Sequence, residues 1–168
     1  FVTFPYFYKQ EKRVARKIVD RIHPIKVDEA KVYEYIAKFE SMESKRMGVN
    51  FHYAEEQLEG IFCFLKNSIA ILTGGPGTGK TSVLKGAATI MRWMNGNSSI
   101  AFTAPTGKAA RRVTESSGFP ATTAQRYIGD SGQGNSLKMI CVDDFVSDEV
   151  SMYDLDTFEK VLDSMSPH

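Results

Sequence analysis

Apolar residues recur at helical spacing through the first 67 positions, with polar residues on the opposite faces. Three segments show the i, i+3, i+4, i+7 pattern. They run from Gln10 to Ile22, ahead of Pro24; from a capping Asp28 toward Gly48; and from Ala54 to Asn67. Asp before a helix and Gly after it are the residues that helix ends favour. We therefore predict three helices in this part of the chain.

After Asn67 the pattern changes to short apolar runs that alternate with amphipathic segments. The runs at 69–72 and 100–104 have the length and composition of buried strands. Helical patterns follow at 80–95 and 107–116, and a last one carries Leu155, Phe158, Leu162 and Met165. Strands that alternate with helices predict a parallel sheet with helices on both faces.

Composition and charge limit the class of protein but do not indicate a binding partner. The 168 residues are 42% apolar and 24% charged, as in ordinary globular proteins, and the net charge is +1. No apolar run is long enough to span a membrane, and no signal peptide pattern is present, so we expect a cytoplasmic protein with no membrane partner. The scattered histidines and the distant pair Cys63 and Cys141 exclude zinc ligand spacing. Both cysteines lie in apolar runs, which predicts buried free thiols.

The residues from Gly74 to Thr81 read GGPGTGKT and match the pattern G-x-x-x-x-G-K-[ST]. They follow an apolar run and precede a helical pattern, which is the context that a phosphate-binding loop requires. Glycines allow successive N–H groups to converge on phosphate oxygens, and the helix N-terminus adds partial positive charge. Lys80 would bind the β and γ phosphates, and the Thr81 hydroxyl would bind Mg²⁺.

A loop of this kind needs an acidic partner, and two candidates compete. Residues 139–144 form the better apolar strand and end in Asp143 and Asp144, whereas residues 145–149 form a poorer strand that ends in Asp148 and Glu149. In either pair, an Asp at the strand end would hold the metal, and a following acid would polarise water. The local pattern alone leaves both candidates open.

Three motifs in order resemble motifs I, Ia and II of the RecD-like (RecD/TraA) group of superfamily 1 DNA helicases. They are TGGPGTGKT at 73–81, APTGKAA at 104–110 and DEVSM at 148–152. The resemblance implies that Asp148 and Glu149 form the acidic pair and that Gln57 is a glutamine that reads adenine. Gln125 and Ser147 depart from the group, which usually has His and an apolar residue at these two positions.

The resemblance also implies a fold, a domain division and a set of functional residues. We expect an α/β fold, a P-loop NTPase (RecA-like) parallel sheet with flanking helices, preceded by a small all-helical segment. Residues 1–50 would be the helical N-terminal segment and 51–168 part of the first motor domain. Predicted catalytic residues are Lys80 and Glu149, and predicted metal ligands are Thr81 and Asp148. The predicted nucleotide-binding residues are Gln57, Gly75, Pro76, Gly77, Thr78, Gly79, Lys80, Thr81 and Ser82, and the predicted DNA-binding residues are Pro105, Thr106 and Lys108.

The function that this resemblance implies is an ATP-dependent DNA helicase that moves 5′ to 3′ on single-stranded DNA. ATP and Mg²⁺ would be its cofactors, and other repair or recombination subunits its protein partners. The chain ends soon after the third motif, so we expect a fragment that binds nucleotide and does not unwind DNA. Two alternatives are a P-loop interaction or regulatory module without hydrolysis and another P-loop ATPase such as an AAA+ protein.

Overall fold

The computed structural model describes residues 5–75, 77–96, 98–130 and 137–165. Its helices are α1 (Pro5–Val19), α2 (Glu29–Met47), α3 (Glu55–Lys66), α4 (Lys80–Met94), α5 (Gly107–Ser117), α6 (Ala124–Tyr127) and α7 (Leu155–Ser164). Its strands are β1 (Ile100–Ala104), β2 (Ala121–Thr123) and β3 (Asp144–Ser147), and a short 3₁₀ helix spans Val150–Met152.

The chain forms two compact units. One consists of His23–Ser99, and the other combines Phe1–Ile22 with Ile100–His168. The first unit is called here the helical unit and the second the sheet unit. The predicted domain boundary at residue 50 concerns the family's domains and stays a prediction.

The helical unit contains α2, α3 and α4, which confirms three of the predicted helices. Asp28 caps α2 by accepting a hydrogen bond from the Lys31 backbone N–H at 3.2 Å, and Gly48 ends the helix in the left-handed conformation at φ 70°. The apolar stripes of the three helices meet in one core. Its fully buried members are Val32, Phe39, Ile61 and Ile90.

The sheet unit contains three parallel strands in the order β2-β1-β3. Phe102 of β1 is opposite Ala121 of β2 and Val146 of β3. Helix α5 connects β1 to β2 and packs against both of them. Every strand pair is parallel and each connection contains helix, which confirms the predicted α/β class.

Helix α1 belongs to the sheet unit, where it packs on α7. The carboxylate of Glu159 accepts hydrogen bonds from Arg13 at 2.8 Å, Lys17 at 3.0 Å and Gln10 at 3.1 Å. The Arg13 guanidinium is the largest contribution that lowers the pKa of Glu159 to about 2. The helix begins at Pro5 and ends at Val19, earlier at both ends than the predicted segment.

One strand prediction is wrong. Residues 69–72 form no regular strand, and the Ile71 side chain is 78% exposed. No strand of the described part of the helical unit is available to pair with this segment, and a strand needs a partner backbone for its hydrogen bonds. Of the two candidate strands that precede an acidic pair, residues 139–142 form no strand, and Ile140 makes only an isolated bridge to Met165. The strand forms instead at Asp144–Ser147, directly before Asp148 and Glu149.

The burial prediction for the cysteines is also wrong, since Cys63 and Cys141 are both exposed free thiols. Cys63 lies on α3 beside the buried Ile61 and outside the apolar stripe, and Cys141 follows the buried Ile140. The position of each cysteine in the fold therefore determines its exposure, and the apolar character of the neighbouring residues does not. In the described ranges, no helix is long and apolar enough to cross a membrane.

Candidate phosphate-binding loop and acidic turn

The glycine-rich loop leads directly into α4 of the helical unit. Gly77 and Gly79 have φ angles of 78° and 80°, a region that glycine adopts at little cost. Gly79 is the N-cap of α4, and no side chain caps the helix there. Pro76, which was predicted to bind nucleotide, lies outside the described residues.

The Lys80 side chain turns back over the loop. Its ammonium donates hydrogen bonds to the carbonyl oxygens of Gly74 at 2.7 Å and Gly75 at 2.8 Å. The Thr78 hydroxyl also donates to Gly75, at 3.0 Å. The cation therefore lies at the loop on neutral acceptors, and no carboxylate of the described residues pairs with it.

The start of α4 offers hydrogen-bond donors to an anion. The first backbone N–H groups of a helix have no partner within the helix, and the helix dipole makes this end positive. Among the residues described, the Thr81 hydroxyl makes no hydrogen bond. This arrangement of uncapped amides, a lysine and a hydroxyl fits a phosphate group.

Gln57 of α3 contacts the loop. Its amide nitrogen donates to the Thr78 carbonyl at 3.1 Å, and its amide oxygen accepts from the Ala54 N–H at 3.0 Å. A Cβ at Gly79 would collide with the same amide nitrogen. The structure thus brings Gln57 and the described loop residues together, and the contact with adenine stays a prediction.

A group of residues that the sequence analysis missed supports α4. The Tyr53 hydroxyl donates to the Ser82 carbonyl at 2.8 Å and lies directly over Gly86, where a Cβ would collide with it. Burial raises the pKa of Tyr53, so the hydroxyl stays a neutral donor. The buried Glu43 of α2 accepts from Lys85 of α4 at 2.8 Å, and the Arg46 guanidinium is the main cause of its lowered pKa. The glycine at position 86 is the one feature of the sequence that could have indicated the close approach of Tyr53 to α4.

In the sheet unit, Asp148 and Glu149 form a turn directly after β3. The Asp148 N–H donates to the Thr103 carbonyl of β1 at 2.9 Å, which extends the sheet pairing by one residue. Glu149 is the one described residue other than glycine with a positive φ, 51°. Its N–H donates to the Asp148 carboxylate at 3.0 Å, and its side chain is exposed. A left-handed glutamate costs about 1 kcal/mol or more, so the surrounding contacts must hold it there.

Hydroxyl groups surround the end of β3. The Ser147 hydroxyl lies 2.7 Å from the Tyr153 hydroxyl and 3.0 Å from the hydroxyl of Thr103, which is fully buried. These bonds explain why a polar residue is tolerated at position 147, because its hydroxyl has partners in the half-buried strand. Ser147 is one of the two departures from the residues that the RecD-like group usually has, and no local pattern indicates its partners.

The predicted DNA-binding residues follow β1 at the edge of the sheet where Asp148 follows β3. Thr106 caps α5, since its hydroxyl accepts from the Ala109 N–H at 3.1 Å. Pro105 is half-buried, and Lys108 is exposed. The carboxyl ends of parallel strands are where open α/β sheets usually bind ligands. Gln125 of α6 instead contacts Thr157 of α7, at 3.4 Å.

The donors predicted to bind Mg²⁺ have suitable chemistry, since a hydroxyl and a carboxylate are the oxygen ligands that this ion prefers. Thr81 lies in the first turn of α4 in the helical unit, and Asp148 follows β3 in the sheet unit. Asp148 forms no ion pair with any described residue. Within the described ranges, no cluster of three or more His, Cys, Asp or Glu side chains forms an alternative metal site.

Comparison with known proteins gives a consistent family. The AAA_19 family, described as an AAA domain, matches residues 57–168. The ATP-dependent RecD2 DNA helicase of Deinococcus radiodurans is 38% identical over 102 residues, which cover 59% of this chain and 14% of the relative. The RecBCD enzyme subunit RecD of Mycolicibacterium smegmatis is 30% identical over 151 residues, 74% of this chain and 27% of the relative. The RecD subunit of Haemophilus influenzae is 31% identical over 130 residues, 61% of this chain and 20% of the relative.

The chain thus spans between 14% and 27% of the length of these three relatives. The AAA_19 match covers more than half of the chain and includes the glycine-rich loop, the capped helix α5 and the acidic turn. The named relatives are all RecD or RecD2 proteins. The chain therefore belongs to the AAA_19 family of AAA domains, and its sequence is RecD-like.

Proposed function

We propose that the chain is the ATP-binding part of a DNA helicase that couples Mg-ATP hydrolysis to 5′ to 3′ movement on single-stranded DNA. The observation that carries this proposal is the loop before α4, where Lys80 and the uncapped helix start lie together. The relative named an ATP-dependent DNA helicase supports this reaction, and the direction of movement is taken from the resemblance. Such a protein would work in the cytoplasm.

In this proposal the loop binds the triphosphate of ATP. The backbone amides at the start of α4, with those of Gly75, Gly77, Thr78 and Gly79, donate to phosphate oxygens. Lys80 moves from its carbonyl partners to the β and γ phosphates and neutralises part of their charge. Gln57 reads the adenine edge with the same amide that contacts Thr78.

The hydrolytic step belongs to the acidic turn in this proposal. Glu149 is exposed and would accept a proton from the attacking water. Thr81 and Asp148 are the residues that would hold Mg²⁺, which neutralises charge on the phosphate oxygens when it is bound. Pro105, Thr106 and Lys108 would contact the DNA backbone, and the RecD relatives named as RecBCD subunits suggest that partner subunits exist.

A titration with Mg-ATP tests the nucleotide site. We expect Lys80→Ala to weaken binding by about tenfold to a hundredfold, because hydrogen bonds to charged groups contribute about 1.5 to 3 kcal/mol. Lys45→Ala is the matched control, since Lys45 is an exposed lysine near the end of α2 in the same unit. Equal affinity of the Lys80→Ala variant and the parent chain would overturn the proposal.

A second measurement separates a motor from a regulatory module. The full-length protein should hydrolyse ATP faster when single-stranded DNA is added, and Glu149→Gln should abolish hydrolysis while nucleotide binding remains. Binding of ATP without any hydrolysis that DNA stimulates would instead support the regulatory module.

A further inference from the structure

Two hydroxyl groups join the ends of the acidic turn. Ser147 lies immediately before Asp148, and Tyr153 lies immediately after the 3₁₀ helix that follows Glu149. Their hydroxyls are 2.7 Å apart, and the Ser147 hydroxyl is 3.0 Å from that of Thr103 on the neighbouring strand. The bond between them closes a ring around residues 148–152. This ring is called here the hydroxyl clasp.

The backbone inside the clasp is held at several further points. Asp148 N–H donates to the Thr103 carbonyl at 2.9 Å, and Met152 N–H donates to the Glu149 carbonyl at 2.9 Å. Glu149 nevertheless has the left-handed φ of 51° that a side chain disfavours. A backbone of this kind relaxes unless its neighbours fix it on both sides. The sheet fixes the first side, and the Tyr153 hydroxyl helps to fix the second.

We propose that Tyr153 and Ser147 are positioning residues that hold the Glu149 carboxylate in the orientation needed for hydrolysis. This inference rests on the proposed function, because it gives Glu149 the role of general base. Neither hydroxyl contacts substrate in the proposal. Each acts through the turn, and their shared bond is the element that matters.

The structure offers a substitution that removes only the Tyr153 hydroxyl, with its 2.7 Å bond to Ser147 and a longer 3.5 Å bond to Thr103. The Tyr153 ring packs at the edge of a core cluster that includes the buried Ile128, Ile140 and Val161. Tyr153→Phe keeps this apolar contact and deletes the hydroxyl. Tyr127→Phe is the matched control, because Tyr127 is a half-buried tyrosine of the same unit whose ring packs edge-on against Phe145.

The first test is the steady-state hydrolysis of ATP by the full-length protein with single-stranded DNA. We expect Tyr153→Phe to lower kcat about threefold to tenfold with an unchanged KM for ATP. This is the effect of losing one neutral hydrogen bond that holds the turn during hydrolysis. Ser147→Ala should lower kcat at least as much, because it also removes the bond to Thr103, and the double variant should be no slower than Ser147→Ala. Tyr127→Phe should retain the parent kcat.

The second test measures hydrogen exchange in the 168-residue chain and needs no activity. The amides of residues 148–152 should exchange faster in Tyr153→Phe than in the parent chain, and those of β1 should not change. Normal kcat in Tyr153→Phe, or additive losses in the double variant, would overturn the inference while the proposed ATPase stands. Unchanged exchange at 148–152 would also overturn it. A parent protein without ATPase activity would instead overturn the proposed function, and the inference with it.

Discussion

Gly79 gives the most specific prediction for the loop, because both its backbone angle and the nearby Gln57 side chain oppose a substitution. Its φ of 80° disfavours any residue with a side chain, and a Cβ there would collide with the amide nitrogen of Gln57. Gly79→Ala therefore imposes two separate costs. One is the left-handed backbone, and the other is displacement of the Gln57 amide from the Thr78 carbonyl.

Two other glycines of the same unit separate these costs. Gly48 and Gly77 have φ angles of 70° and 78°, and no described atom lies within 4 Å of a Cβ at either one. Alanine at Gly48 should reduce the free energy of unfolding by about 1 to 2 kcal/mol, the backbone cost alone. Gly79→Ala should reduce it by about 1 kcal/mol more, the value of the lost hydrogen bond.

Urea unfolding followed by tryptophan fluorescence measures this difference. The chain has a single tryptophan, Trp93, which lies on α4 of the helical unit and packs against Tyr35 with ring centroids 5.9 Å apart. Its signal therefore reports the unit that contains all three glycines. In a Gln57→Ala background, Gly79→Ala should cost only the backbone contribution, because the colliding amide and its hydrogen bond to Thr78 are already gone.

Either of two results would contradict the prediction for Gly79→Ala. Equal destabilisation by Gly79→Ala and Gly48→Ala would show that the Gln57 amide moves aside at no cost. An extra loss for Gly79→Ala that persists in the Gln57→Ala background would show that it has another origin. Mg-ATP titration of the same variants should rank Gly79→Ala below Gly77→Ala in affinity, since only the former displaces Gln57.

Three further predictions concern stability. Because the folded pKa of Glu159 is lowered to about 2, its contribution is present above the ordinary value of 4.5 and is lost as the pH falls toward 2. Glu159→Gln should thus cost about 1 to 3 kcal/mol at pH 7 and little at pH 2, as circular dichroism during acid titration would show; an equal cost at both pH values contradicts this. Thr106→Ala should cost about 1 kcal/mol in thermal unfolding through loss of the α5 cap, and Thr106→Ser should restore it; an equally unstable serine variant would exclude the cap. Gly86→Ala should destabilise the helical unit by more than about 1 kcal/mol, since its Cβ would collide with the Tyr53 hydroxyl. Tyr53→Phe should relieve part of that loss in urea unfolding, and no relief would exclude the hydroxyl as the cause.

Helices with strong local signals were predictable from the sequence. Asp28 and Gly48 mark the two ends of α2, and both positions follow from local preferences of helix ends. The segment at 69–72 shows the opposite case. Its composition favours a strand, but a strand forms only where another backbone pairs with it, and the described part of the helical unit provides none.

The site was predictable to the extent that it is local in sequence. The glycines, Lys80 and Thr81 follow from one motif, and the nearness of Gln57 follows from a resemblance. The contact of Gln57 with Thr78 spans 21 positions, and the bond between Tyr153 and Ser147 depends on the fold of a strained turn. Such contacts leave no periodic signal, because single polar residues at these positions look like ordinary surface residues.

The two carbonyl partners of Lys80 should make it easier for the loop to exchange its ligand. Neutral carbonyl oxygens attract an ammonium less strongly than charged phosphate oxygens do, so the lysine gains by moving and loses no buried ion pair. When the phosphate leaves, the same carbonyls are at hand to receive the ammonium again. The Lys80 ammonium would then have a hydrogen-bond acceptor both before the phosphate binds and after it leaves.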